Sequence, residues 1–321
     1  MSELDDLIRE VDGLCAQRDW DGLVALRDRC RAALARGKQF WPAASFAEYR
    51  LALEAPGPWA AAVVAEAGTG RFALGPLTEV AASTHPWDDL AGDDGPGPTG
   101  PQLTLAAHER VLRGEDLRRD RRVDPNVLDL PTVLSGWEGA YPLAVYKPHG
   151  AEFPTPPVPH VGGLAARATP ALVVDDDEAV RALVDLAGAW TTESNGRAEA
   201  VAVLGDAEGA VAALGAPRVR VLPLGADEAM AWMAWTAASG GAHGRRRGMA
   251  AGRFGAWWTV VALAGLTDEW PLPPAEVGEV ASELQWYAWD AGEPETGWGL
   301  RLAVEDPAEG RAWALLAADA S

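Results

Sequence analysis

Cysteine is nearly absent from this chain of 321 residues; Cys15 and Cys30 are the only two. Their spacing fits neither a CxxC redox pair nor a zinc knuckle, which excludes a disulfide framework and a thiolate metal site. Both fall on apolar positions of helical stretches and read as buried thiols in a reducing compartment. Histidine is also scarce: His85, His108, His149, His160 and His243 form no HxxxH or HExxH pair, so zinc has no ligand set. No uninterrupted apolar run approaches the ~20 residues that span a bilayer, and the best, Phe254 to Leu266, is too short. The start, Met1-Ser-Glu-Leu-Asp-Asp, lacks the basic and apolar regions of a signal peptide. No GxSxG elbow, Walker loop or GxGxxG stands in the strand, turn and helix order that its chemistry requires, and Gly68-Thr-Gly70 lacks that context altogether. These absences predict a cytoplasmic protein with no membrane partner, no metal and no cofactor.

Basic residues are the other shortage. Lys and Arg number 27 against 47 Asp and Glu, giving a net charge of −20. Long-range repulsion of that size opposes nucleic acid and anionic membranes, and the acid excess reads as a solubilising surface. Lysine contributes little to the basic set, and the Ala, Gly, Arg and Asp bias fits a GC-rich, bacterial gene.

What is present divides into three stretches. Residues 1–122 read as an all-helical, bundle-like domain. Leu4, Leu7, Ile8, Val11 and Leu14 draw one apolar stripe; Trp20, Leu23, Val24, Leu26, Cys30 and Leu34 draw a second, with Asp19 placed to cap it and Gly37 to end it. Pro42 suits the first turn of a third helix that Pro56-Gly57-Pro58 stops, and Trp59–Glu66 and Leu103–Leu112 add two more. From Gly68 to Thr99 the pattern loosens, and the stretch 91–101 reads as a surface loop. The run Arg118-Arg119-Asp120-Arg121-Arg122 reads as a solvated face that answers nearby carboxylates.

Residues 123–170 carry nine prolines and no room for a long helix, so they read as an extended strap, with a candidate edge strand at Tyr141–Tyr146. Residues 171–321 read as an α/β domain, a mixed sheet with flanking helices. Apolar runs at 171–174, 200–204 and 218–222 alternate with amphipathic stretches, the pattern of parallel βα crossovers. Two tryptophan-rich helices follow, about 227–238 and 245–266. Strand-length segments at 284–289, 298–304 and 311–316 then form an antiparallel meander. The fold class is therefore mixed α/β, with a helical domain first and a sheet domain after it.

Within this acidic chain one segment is glycine-rich and basic, Ser239 to Arg253. Arg245, Arg246 and Arg247 fall at the amino end of the second tryptophan-rich helix, where the macrodipole disfavours cations, which calls for an anion nearby. Gly241, His243, Gly244, Arg245, Arg246, Arg247, Arg253 and Trp257 are the candidate binding residues. Helical spacing aligns Arg246, Arg253 and the indole on one face, and free backbone N–H groups, guanidinium forks and close-approach glycines suit a phosphate or carboxylate. The bland reading is that these arginines pair with the chain's own acids. A non-catalytic protein that recognises an anionic small molecule through residues 240–253 is the leading expectation. The alternatives are an enzyme acting on a phosphorylated or carboxylated substrate, with His243 as acid–base group and Asp175 or Asp176 holding a cation, and a protein–protein adaptor working through the helical domain. Asp175 to Glu178 read more simply as a helix cap and its acidic first turn.

Overall fold

Glu3–Gln17 (α1) and Trp20–Leu34 (α2) are the helices that the apolar stripes predict. Asp19 caps α2 by accepting a bond from the Gly22 amide at 2.9 Å, and Gly37 ends the segment in the left-handed region at φ +76°. The computed structural model describes residues 3–92, 99–157, 166–216, 218–292 and 297–320. The glycine–proline stretch at 93–98, His160 and the turn residues 293–296 lie outside them.

The chain divides into two compact units. The first comprises Met1–Val133 and Leu143–Phe153, and the second Leu134–Pro142 and Pro154–Ser321, so the proline-rich stretch is shared between them. In the first unit α1 and α2 pack on each other and on Trp41–Glu54 (α3), which carries Pro42 in its first turn, while Gly57–Ala65 (α4) packs between α3 and Pro101–Val111 (α7). Leu77–Thr84 (α5) and Trp87–Ala91 (α6) fill the stretch that shows no clear period in the sequence. Each is entered from an extended proline, Pro76 or Pro86, and α5 is buried on nearly all sides, so no polar stripe marks it. Val11, Leu23, Leu26, Leu51, Val80, Trp87 and Leu90 form the core. Val145–Lys147 (β1) and Gly150–Glu152 (β2) form a small hairpin at the end of the expected edge strand, and the Tyr49 hydroxyl donates to Lys147 O at 2.6 Å. Cys15 and Cys30 are free and buried; burial pushes the Cys15 thiol up to about 11. The Arg118–Arg122 run answers local acids: Arg118 pairs with Asp116, and Arg122 with Asp88 and Asp120.

The second unit is built on a seven-stranded sheet. Its strands in chain order are Ala166–Arg167 (β3), Leu172–Val174 (β4), Arg197–Leu204 (β5), Arg218–Leu224 (β6), Gln285–Asp290 (β7), Trp298–Asp306 (β8) and Arg311–Asp319 (β9), and the spatial order is β3-β6-β7-β8-β9-β5-β4. The mixed α/β class and the C-terminal meander are as the sequence predicts. The expected parallel neighbours are not: every pairing between described strands is antiparallel. The physical reason lies in what fills the crossovers. Between β4 and β5 the chain makes two helices, Asp177–Leu186 (α8) and Gly188–Glu193 (α9), and so returns along the opposite direction. β5 and β6 do run the same way, joined by Ala207–Ala213 (α10), but the three-stranded meander is inserted between them.

The two faces of this sheet are covered unequally. Leu300, Leu302, Val304, Trp313, Leu315 and Trp286 alternate onto one face. That face meets a helical layer containing α8, Ala226–Ala238 (α11) and Met249–Leu263 (α12), with Pro274–Glu283 (α13) against α12. Among the described residues the opposite face has one helix, the seven-residue α10, packed on Val203, Ala303, Ala312, Ala314 and Val219. Two turns cannot cover a sheet of seven strands. Among the described residues no helix covers one end of that face.

Candidate functional site

The glycine–arginine segment is the linker from α11 to α12. Helix α12 begins at Met249 with Gly248 as its N-cap at φ +92°, four residues later than the periodicity suggests. Arg245, Arg246 and Arg247 therefore lie in the loop rather than on the helix, and Arg246 does not share the helical face of Arg253 and Trp257. The glycine conformation is the cause, since a left-handed cap interrupts the Ala-rich pattern that otherwise reads as continuous helix. The close packing of α12 on α11 needs Gly252, where a Cβ would collide with Ala234 O.

The loop's backbone donors turn to the protein's own side chains. The Ala242 amide donates to Asp319 Oδ2 at 2.6 Å, the His243 amide to Ser194 Oγ at 3.1 Å, and the Arg245 amide to Glu193 Oε2 at 3.1 Å. Arg247 Nη2 lies 3.5 Å from Glu193 Oε1, and its amide donates to Ala238 O. Gly241 adopts φ +70°, and a Cβ there would collide with the Asp319 carboxylate. Gly244 lies against Glu193 and the Ala189 carbonyl. His243, Arg245 and Arg247 are exposed and Arg246 is half-buried.

Arg253 and Trp257, one helical turn apart on α12, do share a face, and an internal carboxylate occupies it. Glu138 accepts Arg253 Nε and Nη2 at 2.7 Å each, Trp257 Nε1 at 3.0 Å, the Tyr141 hydroxyl at 2.7 Å and the Ser135 amide at 2.8 Å. Both members of the ion pair are 0% exposed. Burial alone would raise the Glu138 pKa, but the guanidinium fork and the other donors outweigh it and hold the carboxyl below its usual range. The Tyr141 hydroxyl is pushed well up by burial and by the adjacent Glu138 charge. Trp137 completes this clasp by packing on Trp257 with ring centroids 4.8 Å apart and donating to Pro274 O.

Asp176 serves as a helix cap. Its Oδ1 accepts the Ala179 amide at 3.3 Å, and its Oδ2 accepts Trp313 Nε1 at 3.0 Å with Arg311 at 3.5 Å. It borders the larger hollow of the second unit, about 820 Å³, whose rim carries Glu178, Glu283, Asp306 and Glu309. Several of these acids have local work: Glu178 accepts Thr267 Oγ1, and Asp306 accepts the Ala308 and Glu309 amides. Among the described residues no three His, Cys, Asp or Glu side chains converge as a metal site. Neither His243 nor Asp175 lines this hollow or the next one.

The second hollow, about 610 Å³, occupies the end of the sheet that α10 leaves open. Arg167, Arg197, Arg218 and Arg301 line it, with Glu199 as the one acid. Its floor is Leu316, Trp289 and Ala291, and the chain leaving α10, Leu214 to Ala216, forms a wall. Alternation places Arg197 and Glu199 on the same side of β5 as the α10-facing Val203. The Trp289 indole donates to Leu302 O and Leu315 O, which fixes the ring under the Arg301 guanidinium, 5.5 Å from its centroid. Arg301 also meets Asp290 at 3.4 Å, an acid it shares with Arg220.

The other three cations differ from every arginine in the clasp. The guanidinium groups of Arg167, Arg197 and Arg218 have no carboxylate or carbonyl partner among the described residues. Arg167 and Arg218 stand directly opposite each other in the β3–β6 register, a like-charge cross-strand pair that is destabilising unless an anion bridges it. Glu199 and Arg301 flank Leu316 in the register, two strands apart, about 10 Å at ~4.8 Å per strand. These residues are spread from 167 to 316, which is why no local motif announces them. The only local trace is the alternation of Arg218-Val-Arg220-Val and Arg197-Ala-Glu199 at strand starts.

No described helix is long and apolar enough to cross a membrane. A family profile described as "Family of unknown function (DUF6183)" matches residues 5–321, so the chain belongs to that family. Comparison with curated proteins and with solved structures found no match.

Proposed function

We propose that this member of the DUF6183 family is a non-catalytic binding protein that recognises a phosphate- or carboxylate-bearing molecule in the arginine-lined hollow at the open end of its sheet. One observation carries the reading. In a chain of net charge −20, Arg167, Arg197 and Arg218 border one hollow and have no acid partner among the described residues. Surplus carboxylates are plentiful, yet among the described residues none pairs with these cations. Guanidinium forks match the paired oxygens of phosphate and carboxylate, and a hollow of this volume is in the ordinary size range of small-molecule sites. The glycine–arginine segment 240–253 supports the same role less well, because its backbone donors already serve Asp319, Ser194 and Glu193.

Isothermal titration with inorganic pyrophosphate at low ionic strength tests this. Binding is expected, weakening as salt rises, and Arg167→Ala with Arg218→Ala is expected to reduce it by roughly 10- to 100-fold, the loss of one or two charge-assisted contacts. Unchanged affinity in that double variant would place the anion elsewhere. Loss of binding in Arg245→Ala with Arg247→Ala instead would return the role to the α11–α12 loop.

A further inference from the structure

We infer that the helical first unit carries a docking patch for an acidic, amphipathic segment of a partner protein, formed where the α2–α3 turn meets the loop after α4. Helix α3 is buried almost throughout from Ala43 to Leu53, and Trp41 stands ahead of that stretch at its first position. The Trp41 ring instead meets Phe72 of the loop, with centroids 4.1 Å apart. The two rings remain 43% and 50% exposed. Leu34, the last residue of α2, is 62% exposed at the start of the turn. A lone exposed apolar side chain is ordinary, but aromatic rings that touch each other and still face water make a patch of the kind that binds partners.

The charge beside these rings is opposite to that of the whole chain. The Arg71 guanidinium lies over Phe72, 5.6 Å from the ring centroid, and the Lys38 ammonium lies over Phe40 at 5.2 Å. Arg36 belongs to the same turn as Lys38. Arg36 and Arg71 are exposed and have no carboxylate partner among the described residues. Glu66, which leads into the loop, is engaged by Arg27 and Arg31. Lys38 meets Glu3 at 2.9 Å in an exposed pair, which is worth little and opens readily to a competing carboxylate. Charge complementarity thus selects an acidic occupant, and aromatic and arginine side chains are those that carry most binding energy at protein interfaces. An anionic bilayer fits less well. Arg36, Lys38 and Arg71 fall short of the roughly four to eight cations of a lipid-binding cluster, and the net charge of −20 adds repulsion from a whole surface.

A fluorescein-labelled peptide of leucine and glutamate at amphipathic helical spacing, titrated into the full chain and followed by anisotropy, tests the inference beside a peptide with glutamine in place of glutamate. The acidic peptide is a selective probe, because the chain as a whole repels it. It is expected to bind about tenfold more tightly than the glutamine peptide, the gain of a charge-assisted contact. Arg36→Glu with Arg71→Glu should remove that advantage and leave the glutamine peptide unchanged, whereas Trp41→Ala with Phe72→Ala should abolish binding of both. An unchanged thermal transition verifies the fold of each variant. In the unaltered protein, a benzophenone-bearing acidic peptide should crosslink to the α2–α3 turn and to the loop after α4. Equal affinity for the two peptides, an advantage that survives Arg36→Glu with Arg71→Glu, or crosslinks confined to other segments overturns the inference. Binding of phosphatidylserine vesicles with no binding of the acidic peptide overturns it in favour of a membrane, and binding of neither removes the docking role altogether.

Discussion

The clasp at Arg253 and the hollow at Arg218 use the same side chain in opposite ways. Arg253 is buried, and one edge of its guanidinium, Nε and Nη2, meets a carboxylate that three further donors also hold. Arg218 is exposed, stands opposite another arginine on the neighbouring strand, and meets no acid among the described residues. The difference shows what position in the sheet domain does to a charge. Beneath the helical layer an unmatched guanidinium is too costly to keep, so Glu138 is brought in by the 134–142 segment. Where the side chain is exposed, water screens the cation and lowers the cost of leaving it unpaired.

The largest expected effect breaks the clasp. Glu138→Leu leaves Arg253 buried without a partner and should destabilise the second unit by about 3–5 kcal/mol, read from urea unfolding. The double change Glu138→Leu with Arg253→Met should recover most of that loss, since a well-packed apolar pair often replaces a buried ion pair at little cost. A failure to recover would mean that the hydrogen bonds of Tyr141, Trp257 and Ser135 to the carboxylate matter more than the charge pair.

Next in size is the loop. Asp319→Ala removes the acceptor of the Ala242 amide and should cost about 1.5–3 kcal/mol, the usual range for a hydrogen bond to a charged group. Thermal unfolding at neutral pH measures it.

Acid titration sharpens the comparison from another side. The Glu138 carboxyl has a folded-state pKa below its ordinary 4.5. Its contribution to stability is therefore fully present above the unfolded value and is lost as pH falls through the folded value. The stability gap between the wild type and Glu138→Gln should be constant near neutrality and should shrink below about pH 4.5, the ordinary value that the unfolded chain keeps. A gap that stays constant down to pH 2 would show that the carboxyl is not the titrating group.

The smallest stability effect belongs to the hollow. Arg218→Ala should change unfolding free energy by less than about 0.5 kcal/mol while weakening pyrophosphate binding. Glu199→Gln should act in the reverse sense on affinity, strengthening pyrophosphate binding several-fold by removing a repulsive charge, with a shallower salt dependence as the companion readout.

Local signals carried the first three helices into view: Asp19 as a cap, Pro42 in a first turn and a left-handed Gly37 are each decided within a few residues. α5 was not legible, because a helix of eight residues buried on nearly every side has no polar stripe to give it a period. Strand lengths in the C-terminal half were legible and their directions were not, since the insertion of the meander between β5 and β6 is a matter of long-range pairing. The alignment of Arg253 with Trp257 followed from helical spacing. Its partner did not, because Glu138 lies 115 residues upstream in a segment whose prolines hide any contact pattern. The hollow was beyond local reading altogether: its arginines come from four different strands and share no sequence window.

Helix α10 acts as a measuring rod for whatever enters the hollow. It has seven residues, and its exit at Leu214–Ala216 is the hollow's wall. One added turn, four residues at 1.5 Å of rise each, would advance that wall by about 6 Å and close off a large part of the space. An insertion or deletion in the β5–β6 crossover would thus reset the size of the hollow while leaving the sheet and its buried clasp untouched.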